Sequence, residues 1–218
     1  MIKNVIVLFL IGLLFSECED ATPDTSANFQ ITIENLSSGE NTVLLSDGIY
    51  LLKQDGFPLY FPNSQDFGRG LEGLAEDGVV TELVANLQDD PNVMEVASFG
   101  AIPAGSSVVL NFSASYGTFF NFATMFTESN DLFYSFNEDG VPLFQPDGEP
   151  FNGDLTSLVW LWDLGTEINQ VPYLGNFQPG RQAFNGEGID ENGRLRLVND
   201  EFTYPGKFSI IRVTITPI

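Results

Sequence analysis

Short apolar runs alternate with turn-forming dipeptides along most of this 218-residue chain, and this pattern limits the possible folds more than any other. Asp-Gly and Asn-Gly supply the positive φ angles that tight β-hairpin turns require. The Asp-Gly pairs begin at Asp47, Asp55, Asp77, Asp139 and Asp147, and the Asn-Gly pairs begin at Asn152, Asn185 and Asn192. Turn signals at this density predict many short antiparallel strands.

The runs between these turns have the composition and alternation of strands. Residues 29–34 and 207–216 both alternate apolar and polar side chains, so we expect the two ends of the chain to pair within one sheet. Residues 106–112 and 119–126 are predicted to form a further strand pair. Residues 188–198 are predicted to form a hairpin.

One helical region is expected, from residue 70 to residue 87, where apolar residues recur at helical spacing with an interruption at Asp77-Gly78. The sequence contains no internal repeat and no second group of core-forming runs. We therefore predict an all-β protein with one domain, residues 28–218. Its architecture is expected to be a single antiparallel β-sandwich with a minor helical segment.

The charge balance excludes several classes of function. The formal net charge is −22 with only 8 Lys and Arg residues, so no basic surface for nucleic acid can form. The same charge disfavours electrostatic docking to anionic lipid. The chain has no His, which removes Ser-His-Asp catalysis and His-ligated zinc. An excess of carboxylates instead favours divalent cations.

The N-terminus is predicted to be an export signal. Lys3 precedes an apolar run over residues 5–15, which has the length of a signal peptide core and is too short to span a bilayer. Cys18, the single cysteine, follows this run as the lipidated cysteine of a bacterial lipoprotein does. Glu17 departs from the small residue usual before such a cysteine, so an ordinary signal peptide is the alternative. Residues 1–17 would be removed, and residues 18–27 would form a lipid-anchored tether.

Two acidic residues follow the most aromatic strand-like run. Residues 155–162 lack Gly and Pro and lead into Asp163, and Glu167 lies four positions later, beyond Gly165. A carboxylate at the exit of a rigid strand has a fixed origin, and a tight turn at a glycine can bring a second one back to face it. Such a pair suits an oxygen-ligated cation such as calcium, although acidic loop residues are more often simply solvated.

Three blocks together resemble the spondin N-terminal domain family. The first contains Met125 and Asn130-Asp131 between aromatic runs, and the second is Trp-Asp-Leu-Gly-Thr-Glu, residues 162–167. The third is Leu-Ala-Glu-Asp-Gly, residues 74–78. The blocks occur in the family's order within residues 28–199. The resemblance implies a C2-like antiparallel sandwich that binds calcium at one end.

Carried over position by position, the resemblance implies that Asp131, Asp163 and Glu167 are the calcium ligands. Members of this family also use a Glu on the strand before the first block. This chain has no acid there, and Asn111 is the nearest polar candidate. Backbone carbonyl groups and water would have to complete the six to eight oxygen ligands that calcium takes.

Other acidic and aromatic residues have simpler interpretations. Asp147, Glu149, Asn152 and Asp154 lack the spacing of an EF-hand loop and are expected to be solvated, as are Glu187, Asp190 and Glu191 at a hairpin tip. Trp160 and Trp162 lie two residues apart, hence on one face of a strand. We expect that face to be buried in the core. The alternative is a platform on which a sugar stacks.

These observations predict a secreted calcium-binding sandwich at the outer membrane or cell surface. It would act as an adhesion or interaction module and not as a catalyst, with an extracellular protein or glycan as its partner. A lipid anchor would provide its contact with the membrane. The alternative is a glycan-acting protein, either a carbohydrate-binding module or a hydrolase with two carboxylates flanking the glycosidic bond.

Overall fold

A computed structural model describes residues 25–54, 57–66 and 68–218. The strands are β1 (Ser26–Asn35), β2 (Leu45–Gln54), β3 (Val93–Phe99), β4 (Ser107–Ser115), β5 (Thr118–Phe126), β6 (Leu132–Ser135), β7 (Val141–Pro142), β8 (Gly153–Asp154), β9 (Trp160–Asp163), β10 (Arg196–Leu197) and β11 (Ile211–Pro217). Two helices lie between β2 and β3, namely α1 (Leu71–Asp77) and α2 (Thr81–Gln88).

The strands form two antiparallel sheets, which confirms the predicted all-β sandwich with a minor helical part. Sheet A has the order β4-β1-β11-β8. Sheet B has the order β10-β9-β6-β5-β2-β3, and β7 also pairs with β5. The predicted pairing of the two ends is confirmed, because β1 and β11 are neighbours with Phe29 opposite Pro217 and Asn35 opposite Ile211.

The main core lies between the sheets and is strongly aromatic. The inward-facing residues of β1 alternate with polar residues, as its half-buried pattern predicted. Phe112 of β4 stacks on Phe120 of β5 with ring centroids 5.6 Å apart, and thereby joins the two sheets. Offset aromatic pairs of this kind add about 0.5–1.5 kcal/mol each to the free energy of burial.

The two helices cover the outer face of sheet B and create a second core, which the sequence did not predict. Leu74, Leu83 and Leu87 are buried there against sheet residues that include Ala123 and Trp162. Strands β2 and β5 are therefore buried on both faces. The helix break predicted at Asp77-Gly78 is confirmed, since Gly78 ends α1 with a φ of 69° and its N–H bonds back to Leu74.

The predicted pairing of residues 106–112 with 119–126 is wrong. Both segments are strands, but β4 pairs with β1 in sheet A and β5 pairs with β2 and β6 in sheet B. The Tyr116-Gly117 turn thus carries the chain across the sandwich, because the apolar faces of the two strands pack against each other. Asp47-Gly48 is likewise not a turn and lies within β2 at a shift of register.

The predicted hairpin over residues 188–198 is also wrong. Its first half runs alongside residues 165–168, with a bridge between Glu167 and Asp190, and its second half contributes β10 beside β9. Within the described ranges no helix has the length and apolar character needed to cross a membrane. The predicted signal peptide and Cys18 lie outside the described residues.

Candidate metal centre

Register in sheet B places two buried aspartates side by side. Asp131 ends the turn between β5 and β6, and Asp163 ends β9. Leu132 is opposite Asp163 in the β6–β9 pair, so Asp131 lies one residue from the partner of Asp163. Both aspartate side chains are fully buried. The structure therefore brings together two of the three residues that the sequence singled out.

The turn after β9 holds one oxygen of Asp131. Gly165 adopts a φ of 77°, and a side chain there would approach the backbone N of Arg194 to 2.6 Å. This tight turn aims the N–H groups of Thr166 and Glu167 at Oδ2 of Asp131, at 2.7 Å and 3.1 Å. The Asp-x-Gly-Thr sequence thus folds into a small anion-binding turn around a neighbouring carboxylate.

Glu191 supplies the third carboxylate of the cluster. Oxygen atoms of Asp131, Asp163 and Glu191 all lie within 4.8 Å of one another, so these three residues can hold a metal ion. Backbone bonds from Glu191 N to Thr166 O and from Gly193 N to Gly165 O bring the segment to the site. The expectation that Glu191 is solvated at a hairpin tip is wrong.

Arg196 closes one side of the cluster. Its Nη2 atom lies 2.8 Å from Oδ2 of Asp163 and 3.0 Å from Oε1 of Glu191. Arg196 is on β10 directly opposite Asp163 in the β9–β10 pair, which explains the contact. The guanidinium group therefore neutralises part of the negative charge and remains partly exposed to solvent.

Each aspartate keeps one oxygen without a partner. Oδ1 of Asp131 and Oδ1 of Asp163 are buried and accept no hydrogen bond, although the second oxygen of each is fully engaged. Asn169, which donates to Oδ2 of Asp163 at 3.0 Å, also has a buried Oδ1 without a partner. Unpaired buried oxygens are costly, and native proteins usually satisfy them with hydrogen bonds, water or an ion.

Burial disfavours the charged forms of both aspartates when no cation is bound. Burial raises the pKa of Asp131 to about 6, against the lowering effect of the N–H groups of Glu167 and Thr166. Burial also raises the pKa of Asp163 to about 7, and the neighbouring charge of Asp131 adds to this effect. A cation among these oxygens would favour their charged forms instead.

The side chain of Glu167 turns away from this cluster. Its carboxylate lies over Gly188, where a β-carbon would come within 1.9 Å of Glu167 Cδ. It accepts a hydrogen bond from Asn130 Nδ2 at 3.4 Å, and burial raises its pKa. The described part of the chain contains one group of three ligand-type residues, and Glu167 is outside it.

The other polar and acidic residues that the sequence suggested as possible ligands lie away from the cluster or in surface turns. Asn111, the candidate fourth ligand, is exposed on β4 in sheet A and accepts a hydrogen bond from Gln30, so it is not part of the cluster. Asp147 and Asp154 each cap a local turn, with hydrogen bonds from Glu149 N and Thr156 N. These bonds agree with the interpretation of their loop as a surface turn.

The two tryptophans differ in environment. Trp162 is 6% exposed, lies under the helices with its ring centroid 5.1 Å from that of Tyr60, and donates from Nε1 to Phe136 O. Trp160 is 44% exposed, and the Lys207 ammonium lies 4.5 Å from its ring centroid. The expectation of a buried face therefore holds for Trp162 and not for Trp160.

No family profile matches this chain, and no curated protein sequence matches it. The assignment of a function therefore depends on the geometry of the acidic cluster. The sequence did not indicate Glu191, Asn169 or Arg196 as members of the cluster. None of the three had a distinguishing local signal, since Arg194 lies two residues before Arg196 and Asp190 lies next to Glu191.

Proposed function

We propose that this protein is an exported calcium-binding β-sandwich that acts as an interaction module at the cell surface. The observation that supports it best is the pair of unpartnered buried oxygens, Oδ1 of Asp131 and Oδ1 of Asp163, beside Glu191. A fold gains nothing from two desolvated acceptors without donors. A bound cation would satisfy both at once.

Calcium fits this donor set better than other common metals. The cluster offers carboxylate oxygens, with the amide oxygen of Asn169 beside them, and no nitrogen or sulfur ligand. Zinc and copper favour imidazole and thiolate ligands, which this site lacks. Loops of differing length supply the oxygens, and calcium tolerates irregular geometry where magnesium requires a regular octahedron.

The proposed anchoring agrees with the position of the cluster. The chain enters β1 at Ser26, and the link to β2 lies at the far end of that strand. Thr127, in the turn that leads to Asp131, donates to Leu44 O at 2.7 Å in this link. A tether before Ser26 would hold the acidic end about 30 Å from the attachment point, since β1 rises about 3.3 Å per residue. The calcium end would face outward.

The glycan-acting alternative has weaker support. It requires Trp160 and Trp162 to form an exposed platform beside two carboxylates. Trp162 is buried under α1 and α2, so one ring of the platform is inaccessible. Asp131 and Asp163 are also buried, with one oxygen of each engaged by the protein.

Calorimetric titration of the metal-free chain with calcium tests the proposal. We expect binding at about 10⁻⁴–10⁻³ M, the range of extracellular calcium modules. At ten times the dissociation constant, calcium should stabilise the fold by about 1.4 kcal/mol and raise Tm by about 3–6 °C. Magnesium should act much more weakly.

Asp163→Asn should abolish both effects, whereas Asp154→Asn is the matched control. Asp154 is exposed, and asparagine can still accept the hydrogen bond from Thr156 N. Absence of binding heat at millimolar calcium, together with a melting curve that chelator leaves unchanged, would refute the calcium site.

A further inference from the structure

Strand β4 is an unprotected edge of sheet A. It is nine residues long and pairs with β1 on one side, while its other side has no neighbouring strand among the described residues. Natural proteins protect such edges with short strands, charged side chains, proline or bulges. The segment Ser107–Ser115 has no charge, no proline and no glycine, and its register with β1 is unbroken.

The other sheet edges in the described structure are protected. Strands β7, β8 and β10 are two residues long. Strand β3 carries Glu95, and the register of its pairing with β2 shifts between Leu52 and Lys53. Strand β4 lacks these protective features, which distinguishes it from the other edge strands.

The outward-facing backbone groups of β4 can be identified from its pairing with β1. Just beyond the two ends of β4, Asn35 N donates to Ser106 O and Tyr116 N donates to Thr25 O. These two bonds continue the register in which β4 pairs with β1. Hydrogen-bonded pairs alternate along an antiparallel ladder, so the even-numbered residues of β4 bond to β1. The odd-numbered residues direct N–H and C=O groups outward, and no backbone bond to them occurs outside the β1–β4 ladder in the described structure.

We propose that β4 pairs with β4 of a second copy of this chain, antiparallel and about a two-fold axis at Asn111. In this register, Asn111 is opposite itself, Val109 is opposite Ser113, and Ser107 is opposite Ser115. All of these are outward-bonding residues, so every outward N–H and C=O finds a partner. The two four-stranded sheets would become one continuous sheet.

Charge favours a second copy as the occupant of this edge. The chain carries a formal charge of −22, yet residues 100–127 contain no charged residue at all. Glu34, on the neighbouring strand, is ion-paired with Arg212. Two copies can therefore meet at β4 without placing like charges opposite each other.

Antiparallel pairing also fixes where the two chains would be anchored. The chain enters β1 at Ser26, opposite Ser115 at the end of β4. In the proposed pair, the two Ser115 residues lie at opposite ends of the interface, about 30 Å apart. The segments before Ser26 would leave in opposite directions, so lipid-anchored copies would pair across two facing membranes. This consequence rests on the proposed anchoring, whereas the pairing itself does not.

Sedimentation of the full chain in a density-matched detergent tests the pairing. Cys18→Ser should be present, so that a disulfide through the single cysteine cannot mimic association. We expect dimers at about 100 µM chain, since an edge-only interface is small and weak. The dimer fraction should increase from about 0.05 M to 0.5 M salt, because salt screens the remaining repulsion.

Val109→Pro should make the chain monomeric. It removes an outward-facing N–H and leaves the bonds to β1 intact. Val109→Thr retains that N–H on a β-branched side chain and should still dimerise. The structure of both variants is checked by circular dichroism. A chain that is monomeric at both salt concentrations, or a folded Val109→Pro that dimerises like the parent, overturns the proposal.

Disulfide trapping gives an independent test if Val109→Pro does not fold. Asn111→Cys in the Cys18→Ser background would lie one strand spacing from its symmetry mate, about 5 Å, within reach of a disulfide. Gln30→Cys is the matched control, since Gln30 is beside Asn111 on the same face and three spacings, about 14 Å, from its mate. Oxidation should crosslink Asn111→Cys alone. Equal crosslinking of both variants contradicts the proposed register.

Discussion

Arg196 and Asp163 form an ion pair in which only the arginine has access to solvent. Arg196 Nη2 lies 2.8 Å from Oδ2 of a fully buried carboxylate, while Oδ1 of the same carboxylate has no partner. The guanidinium group thus satisfies the outer oxygen and leaves the inner one available to a cation. Arg196 serves as an internal counter-ion that lowers the charge of the cluster without filling it.

Arg196→Gln should therefore increase the affinity for calcium. The variant raises the net negative charge of the cluster by one, and calcium affinity increases with the charge of the ligands. Because Arg196 is partly exposed and screened, we expect a gain of about three- to tenfold. The metal-free form should melt at a lower temperature than the parent, and calcium should raise its Tm by a larger amount.

Calorimetry and thermal melts with and without chelator measure both effects. Arg194→Gln is the control, because Arg194 bonds to Asn63 O on the surface and not to these carboxylates. Weaker calcium binding by Arg196→Gln would mean that the arginine organises the ligands and does not compete with the ion.

Glu191 and Glu167 can be distinguished by one pair of variants. The sequence pointed to Glu167, whereas the carboxylate that lies within 4.8 Å of Asp131 and Asp163 is that of Glu191. Glu191→Gln should weaken calcium binding by about tenfold or more through the loss of a charged ligand. Glu167→Gln should have a smaller effect, because its carboxylate faces Gly188 and Asn130. A larger loss in Glu167→Gln, measured by the same titration, would reverse this ranking.

Trp162→Ala should destabilise the fold by about 3–5 kcal/mol, as expected for loss of a large buried aromatic side chain. The variant also leaves Phe136 O without its indole donor. Trp160→Ala, on the same strand, is the matched control and should cost about 1 kcal/mol, mainly through the cation–π contact with Lys207. Urea unfolding measures both changes. Similar values for the two variants would contradict the burial of Trp162.

Local patterns in the sequence predicted which segments form strands and helices better than they predicted which strands pair with each other. The alternation in residues 29–34 and 207–216 identified β1 and β11, and Gly78 marked the break between α1 and α2. The partners of β4 and β5 could not be predicted in the same way. A short connection usually indicates a hairpin, but here two strands with apolar faces pack across the sandwich instead of pairing.

The acidic cluster, too, was predictable from the sequence only in part. Asp131 and Asp163 each lie where a strand meets a turn, and local sequence patterns can identify such a position. Glu191 reaches them through long-range bonds between its segment and residues 165–168. Such pairing depends on register set elsewhere in the sheet, so it leaves no periodic signal near Glu191 itself.

The neutral form of Glu76 should contribute to the stability of the fold, and this contribution should decrease as the pH rises. The Glu76 side chain is buried near the acidic cluster, and this burial raises its pKa to about 8, against the lowering effect of a hydrogen bond with Thr166 and with smaller raising contributions from the charges of Glu167 and Glu72. The carboxyl group in the unfolded chain has the ordinary value of 4.5. Between these two values, the folded chain retains a proton that the unfolded chain releases, so raising the pH favours unfolding.

Glu76→Gln removes this titration while it preserves the shape of the side chain. In calcium-free buffer, the parent should lose stability steadily from pH 5 to about pH 8, whereas the variant should show a shallower slope and be more stable at the upper end. Glu82→Gln is the control, since Glu82 is an exposed residue in the first turn of α2. Urea unfolding at several pH values measures the slopes. Parallel slopes for the parent and Glu76→Gln would show that Glu76 is ionised in the folded chain, with a cation or a donor that compensates its burial.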